Sequence, residues 1–199
     1  MEAVAKLASD AIANAVKHER TETSALTDLL TGLPNARALR YRFEEEVDRA
    51  KRHRDSFVMV MMDLDGFKAV NDNYGHQAGD QVLKELSQLL MSQVRSCDFV
   101  CRYAGDEFVA ILQIPQDEAE ELTRRIQKAV DKHNFGFSGS KLTVGVSIGW
   151  ACFATEGETI DQLLLAADRA MYSDKSKRKA LFSEAAKIDT SDLNPLPVM

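Results

Sequence analysis

Three carboxylates stand where an apolar chain would not ordinarily leave them. Asp63 lies near the end of the run "SFVMVMMDLD", and Asp106 and Glu107 sit side by side within "CRYAGDEFVAIL". The second stretch has turn chemistry between two strand-like runs, with Gly105 available for a tight reversal. A hairpin laid beside the first run would bring its acids up to Asp63. Carboxylates gathered this way repel unless a cation joins them, and an oxygen-only set with open positions suits magnesium. Taken alone, the acidic turn reads equally as a solvated loop, and the acidic strand end as a cap.

Between these places lies "DLDGFKAVNDNYGHQAGD". Gly66 and Phe67 open a short helical segment whose first N–H groups can receive phosphate oxygens, with Lys68 as a point charge. His18, His53, His76 and His133 are scattered, with no HExxH, so nothing points to zinc. Cys97, Cys101 and Cys152 have no metal-binding spacing and read as buried, reduced thiols, as suits a cytoplasmic protein.

The elements that would position these groups follow from periodicity. Leu39, Phe43, Val47 and Ala50 mark a helix. The run ending in Asp63 and Asp65 reads as a buried central strand. From Ala78 onward, Val82, Leu83, Leu86, Leu89, Leu90 and Val94 mark a strong amphipathic helix, and the acidic hairpin follows it. "QDEAEELTRRIQKAVDKH" is a helix with acids early and bases late. "LTVGVSIGWACF" is a strand, and Thr159 with Gln162 forms a capping box before a last helix through Leu163, Leu164, Ala167 and Met171. The order is helix, strand, helix, hairpin, helix, strand, helix. That predicts an α+β domain, a sheet with antiparallel strands covered by helices.

Around this core, residues 1–23 form an Ala-rich helix with a narrow seam, expected to be a dimer stalk. The domain is placed at 24–182, and the polar, proline-bearing 183–199 is expected to be a disordered tail. The chain has 199 residues, 45% of them hydrophobic and 28% charged, with net charge −6. Such a balance gives no global basic field for nucleic acid, yet leaves room for a small anionic ligand held by local cations. No apolar run approaches the ~20 residues of a spanning helix, and Met1-Glu2-Ala3 lacks the layout of a signal peptide.

"DLLTGLPNARAL", "DLDGFKAVNDNYGHQAGDQVL", "RSCDFVCRYAGDEF", "VSIGWA" and "AADRAMYSDK" resemble, in order and spacing, the motif series of the GGDEF family of diguanylate cyclases, from about Ala25 to Lys179. The resemblance implies a nucleotidyl-cyclase-like, ferredoxin-like fold and condensation of two GTP into cyclic di-GMP across a homodimer. It implies two magnesium ions per site, or manganese in their place, held by Asp63, the Leu64 carbonyl, Asp106 and Glu107. Glu107 would also assist deprotonation of the attacking 3′-hydroxyl. Substrate contacts would come from Asn71 and Asp80 on the guanine, and from Gly66, Phe67, Lys68, His76, Lys175 and Lys179. Asp80 is alternatively a plain helix cap. Two positions depart from the pattern: Ala104 replaces the first glycine of the signature, and Lys179 replaces an arginine, keeping charge but losing a bidentate fork. "RSCD" matches the family's RxxD product site, with Arg95, Asp98 and a secondary arm from Arg125, or else it is a surface salt bridge. An upstream sensor would precede the stalk. The alternative to a cyclase is a non-catalytic receptor for GTP or cyclic di-GMP.

Overall fold

A computed structural model describes the backbone of residues 26–191 and the side chains through Arg178. The expected stalk at 1–23, the end of the tail at 192–199 and the Lys179 side chain lie outside the described residues. The elements run α1 (Ala36–His53), β1 (Val58–Asp65), α2 (Phe67–Tyr74), α3 (His76–Gln93), β2 (Phe99–Ala104), β3 (Glu107–Leu112), α4 (Gln116–Lys132), β4 (Phe135–Phe137), β5 (Ser140–Leu142), β6 (Gly145–Cys152) and α5 (Ile160–Ser191). Four strands form one sheet in the order β2-β3-β1-β6, with every neighbouring pair antiparallel. The fold is the expected α+β arrangement, with five helices among the described residues around an antiparallel sheet.

Strand alternation divides the core into two layers. Val58, Val60, Met62 and Leu64 of β1 pack with Phe108, Ala110 and Leu112 of β3 beneath α3 and α4. Met59 and Met61 face the other way, with Val109 and Ile111, into the layer closed by α1 and α5. Asp63 and Asp65 continue the second set, as does Glu107 from β3. The face that packs α5 with methionines in mid-sheet therefore presents carboxylates at its end. Gly149 of β6 lets α5 come close, since a Cβ there would meet the Ala167 carbonyl at 2.2 Å and the Met171 nitrogen at 2.1 Å.

Local signals explain most boundaries. Asn35 caps α1, its side chain accepting from the Arg37 and Ala38 N–H groups. The capping box forms: Gln162 accepts from the Thr159 N–H at 3.2 Å, and the Thr159 hydroxyl accepts from the Gln162 N–H at 3.3 Å. Other features differ from expectation. The run from Leu142 divides into β5 and β6, because Ser140–Leu142 pairs with Phe135–Phe137 in a separate small hairpin. Cys101 and Cys152 are buried, but Cys97 is exposed in the loop before β2. Burial pushes the Cys101 thiol up to about 12, which keeps it protonated and inert.

Candidate active site

β1 and β3 place Asp63 and Glu107 directly opposite each other. Gly105, at φ +51°, takes the left-handed conformation that the short β2–β3 reversal demands, and Asp106 follows it in the turn. The Asp106 carbonyl accepts from the Leu64 N–H at 3.4 Å, tying the turn to β1. Across the same face, α5 delivers Lys175, whose ammonium pairs with the Asp63 carboxylate. Asp65 accepts from the Ser147 hydroxyl at 2.8 and 2.9 Å and from Arg178 Nε at 3.2 Å.

The charge in this cleft is only partly balanced. Burial pushes the Asp106 carboxyl above its usual range, and the neighbouring Asp63 adds to the rise. Glu107 is raised by burial, then by Asp63, Asp106 and Asp168. Burial would lower Lys175, but its hydrogen bond to Asp63 and the attraction of Asp63, Asp65 and Asp106 outweigh that and raise it. Among the described residues, no three His, Cys, Asp or Glu side chains are gathered as a ready metal cage. The donor set still fits magnesium in kind: it is oxygen-only, and Asp106 and Glu107 hold negative charge that Lys175 does not cancel.

A second group lies beyond β1. Gly66, at φ +85°, precedes α2 and gives it no side-chain cap, so first-turn N–H groups there keep their donor capacity. Phe67 is partly buried and Lys68 exposed. α2 folds back on α3 so closely that a Cβ on Gly79 would lie 2.1 Å from Asn71 Oδ1 and 3.1 Å from Phe67 Cζ. This glycine seats Asn71 against the turn of α3 that carries Asp80. Asp80 is exposed, as is His76 at the first position of α3.

A family description, "Diguanylate cyclase, GGDEF domain", matches residues 25–180. The chain belongs to the GGDEF-domain diguanylate cyclase family. It is 40% identical over 179 residues to the diguanylate cyclase DgcP of Pseudomonas aeruginosa, covering 88% of this chain but only 26% of that protein. Among solved structures, the diguanylate cyclase SiaD of Pseudomonas aeruginosa, in complex with its activator SiaC, superposes with a TM-score of 0.73 at 34% identity. The match covers 88% of this chain and 68% of SiaD. The coiled coil and GGDEF domain of DgcB from Caulobacter crescentus, in complex with c-di-GMP, gives 0.79 at 25% identity, covering 88% and 94%.

Within this GGDEF domain, the back of the signature hairpin carries its own charge pair. Arg102 donates Nη1 to both Asp28 oxygens at 3.2 Å and Nε to the Gly105 carbonyl at 2.9 Å. Asp28 also accepts from the N–H and hydroxyl of Thr31, at 2.9 and 2.7 Å. Burial would raise Asp28, but the Thr31 and Arg102 bonds outweigh it and hold the carboxyl below its usual range.

The RxxD segment is not a side-chain salt bridge. Asp98 accepts from the Arg95 backbone N–H at 2.8 Å and from the Gln113 N–H at 2.9 Å, closing its own loop. The exposed Arg95 guanidinium lies 3.9 Å from Glu118 instead. Arg125 donates to the Gln93 carbonyl at 2.6 Å, on a basic face of α4 with Arg124, Lys128 and Lys132. Asp28, Gly79 and Arg178 were not predicted as site residues. Two of them carried a signal: Gly79 is a glycine inside a helical pattern, and Arg178 is close enough in sequence to Lys179 to blur which base stands for the family arginine.

Proposed function

We propose that this domain condenses two molecules of GTP into cyclic di-GMP with release of two pyrophosphates, each of two facing domains contributing one GTP. The observation that carries this reading is the pairing of Asp63 with Glu107 across β1 and β3, with Asp106 in the adjoining turn and Lys175 arriving on the same face. Asp63, the Leu64 carbonyl, Asp106 and Glu107 would hold two magnesium ions, or manganese. When bound, the metal neutralises the triphosphate and the charge that builds as the α-phosphorus is attacked.

The chain's own groups do the rest. Glu107 takes the proton of the attacking 3′-hydroxyl. Lys175, parked on Asp63, turns to triphosphate oxygens when nucleotide enters, and Lys179, four residues further along the chain, is proposed as a second contact. The open first turn of α2, with Gly66, Phe67 and Lys68, receives phosphate, and His76 stands at the facing helix start. Asn71 and the Asp80 carboxylate read guanine, whose N1–H and amine are donors. Adenine would leave a carboxylate unmatched. Ala104 sits at the exposed end of β2, where a methyl group is compatible with turnover.

Product control is proposed at Arg95, Asp98 and Arg125. Arg95 keeps an exposed fork for a phosphate or guanine edge, and Asp98 holds the loop that presents it. DgcB, a related chain, is described in complex with c-di-GMP. Arg95→Ala should therefore hold its initial rate several-fold longer as product accumulates, with GTP affinity unchanged. Progress curves with added cyclic di-GMP test this, and equal inhibition of both proteins would place the product at the carboxylates instead.

The deciding experiment is incubation of the full chain with GTP and magnesium at high protein concentration, with separation of products. Cyclic dinucleotide and pyrophosphate are expected. GTP bound without turnover would make the domain a receptor, and no binding of GTP or of added cyclic di-GMP would remove both readings.

A further inference from the structure

We propose that Arg178 is a positioning residue of the carboxylate cleft: its guanidinium cancels the charge of Asp65, leaving Lys175 and an incoming divalent cation to Asp63, Asp106 and Glu107. The inference rests on the magnesium–GTP reading of that cleft. Asp65 and Asp63 fall on one face of β1, two residues apart, and only 21% of the Asp65 side chain is exposed. Arg178 Nε lies 3.2 Å from Asp65 Oδ2, and its Nη2 lies 2.8 Å from Asp131 Oδ1 on α4. The buried Ser147 hydroxyl completes the surroundings of Asp65, donating within 2.9 Å.

Room for this bracket is provided from the neighbouring strand. Gly145 is the cross-strand partner of Asp65, and a Cβ on it would lie 2.7 Å from Arg178 Nη2. Its backbone does not take a left-handed φ, so what the glycine supplies here is space. Lys175 and Arg178 are three residues apart on α5 and share a face. Each has an aspartate at the end of β1: Lys175 takes Asp63, and Arg178 takes Asp65.

Without the guanidinium, Asp65 is a bare, part-buried carboxylate next to the metal-binding acid. It then draws the Lys175 ammonium away from Asp63 and adds negative charge where the triphosphate must lie. It also strengthens the pull on a metal ion. These effects have opposite signs for the two ligands. A variant lacking Arg178 holds a bare divalent cation more tightly and a guanine nucleotide less tightly, whereas loosened structure weakens both.

Two titrations of the full-length chain test this. One uses manganese alone, followed by electron paramagnetic resonance. The other uses 3′-deoxy-GTP at saturating magnesium, which binds but has no 3′-hydroxyl to condense. Arg178→Gln should tighten manganese several-fold and weaken 3′-deoxy-GTP roughly tenfold, the scale of coupling between contacting charges. Adding Asp65→Asn should return both constants to within about twofold, since the unpaired charge beside Asp63 is then gone and the one that remains, Asp131, lies on α4 with 43% of its side chain exposed. Gly145→Ala leaves every charge in place but displaces Nη2, and should give smaller shifts of the same signs. It carries the test if Arg178→Gln does not fold. Manganese binding unchanged or weakened in these variants, or no rescue by Asp65→Asn, overturns the proposal. Failure of the wild type to bind 3′-deoxy-GTP would instead remove the cyclase reading, and manganese would still decide the role of Arg178.

Discussion

Asp28 and Glu107 flank the same hairpin and live under opposite conditions. Asp28 reaches it through Arg102, among residues that pack on the α3 and α4 side, and is met by a guanidinium, a hydroxyl and an N–H. Glu107 leaves it toward α5, opposite one aspartate and next to another. One carboxyl is held below its ordinary range and the other is pushed above it. A satisfied carboxylate strengthens the fold that holds it. An unsatisfied one weakens that fold but retains affinity for a cation or a proton, which is what chemistry at the site requires. A difference in partners also separates Asp65, bracketed by Arg178 and Ser147, from Asp106 in the turn.

The largest consequence is expected on the unsatisfied side. Glu107→Gln keeps shape but loses the anionic ligand and the proton acceptor, so cyclic dinucleotide formation should fall by roughly a hundredfold or more while circular dichroism stays native. Near-normal turnover would break the comparison, because Glu107 would then be one more surface acid.

A smaller effect is expected at Asp80, an exposed carboxylate whose proposed partner is the base rather than a protein cation. Asp80→Ser should shift the preference for GTP over ATP by about tenfold, read from the mixture of products in competition. An unchanged preference would leave Asp80 an ordinary exposed residue inside α3, where Gly75 and not Asp80 is the N-cap.

Much of this was legible from residue order, because strand alternation and helix periodicity are local. The run through Met61 and Met62 to Asp63 marked the central strand, and Gly105 marked the reversal that brings Glu107 back beside it. What local pattern does not encode is the partner of a buried charge. Glu46 falls inside the apolar stripe of α1 and is 2% exposed, held by Arg42, Arg49 and the Gln113 amide. Hydropathy scores it as a surface residue, and only the fold shows that two arginines and Gln113, just past β3, close over it. Arg178 is similar: in "KSKRKA" it is one base among several, until Gly145 is seen to clear its place. Gly79 was visible as a glycine within a helix, yet its reason, the nearness of Asn71, depends on α2 folding back.

The smallest predicted effect is the one that separates the two sides of the hairpin by sign. Asp28 has a lowered pKa in the folded state, so it contributes stability above its unfolded pKa and loses it as pH falls through the folded value. Asp28→Asn should therefore melt below the wild type at neutral pH, with the gap closing in the acid range. Glu107 has a raised pKa, so the folded state binds the extra proton, and stability is lost as pH rises from the ordinary carboxylate range through the raised value. Glu107→Gln removes that penalty and should melt above the wild type at neutral pH, again converging in acid. Each difference is expected at about 1–3 °C, since ~1 kcal/mol moves the midpoint of a domain this size by about 2–4 °C. Melting curves of the three proteins between neutrality and about pH 2, in metal-free buffer, make the measurement, because the Asp28 gap closes only below the ordinary carboxylate range. Shifts of the same sign in both variants would mean that Glu107 is as well compensated as Asp28, and that the cleft stores no unbalanced charge for a metal ion to relieve.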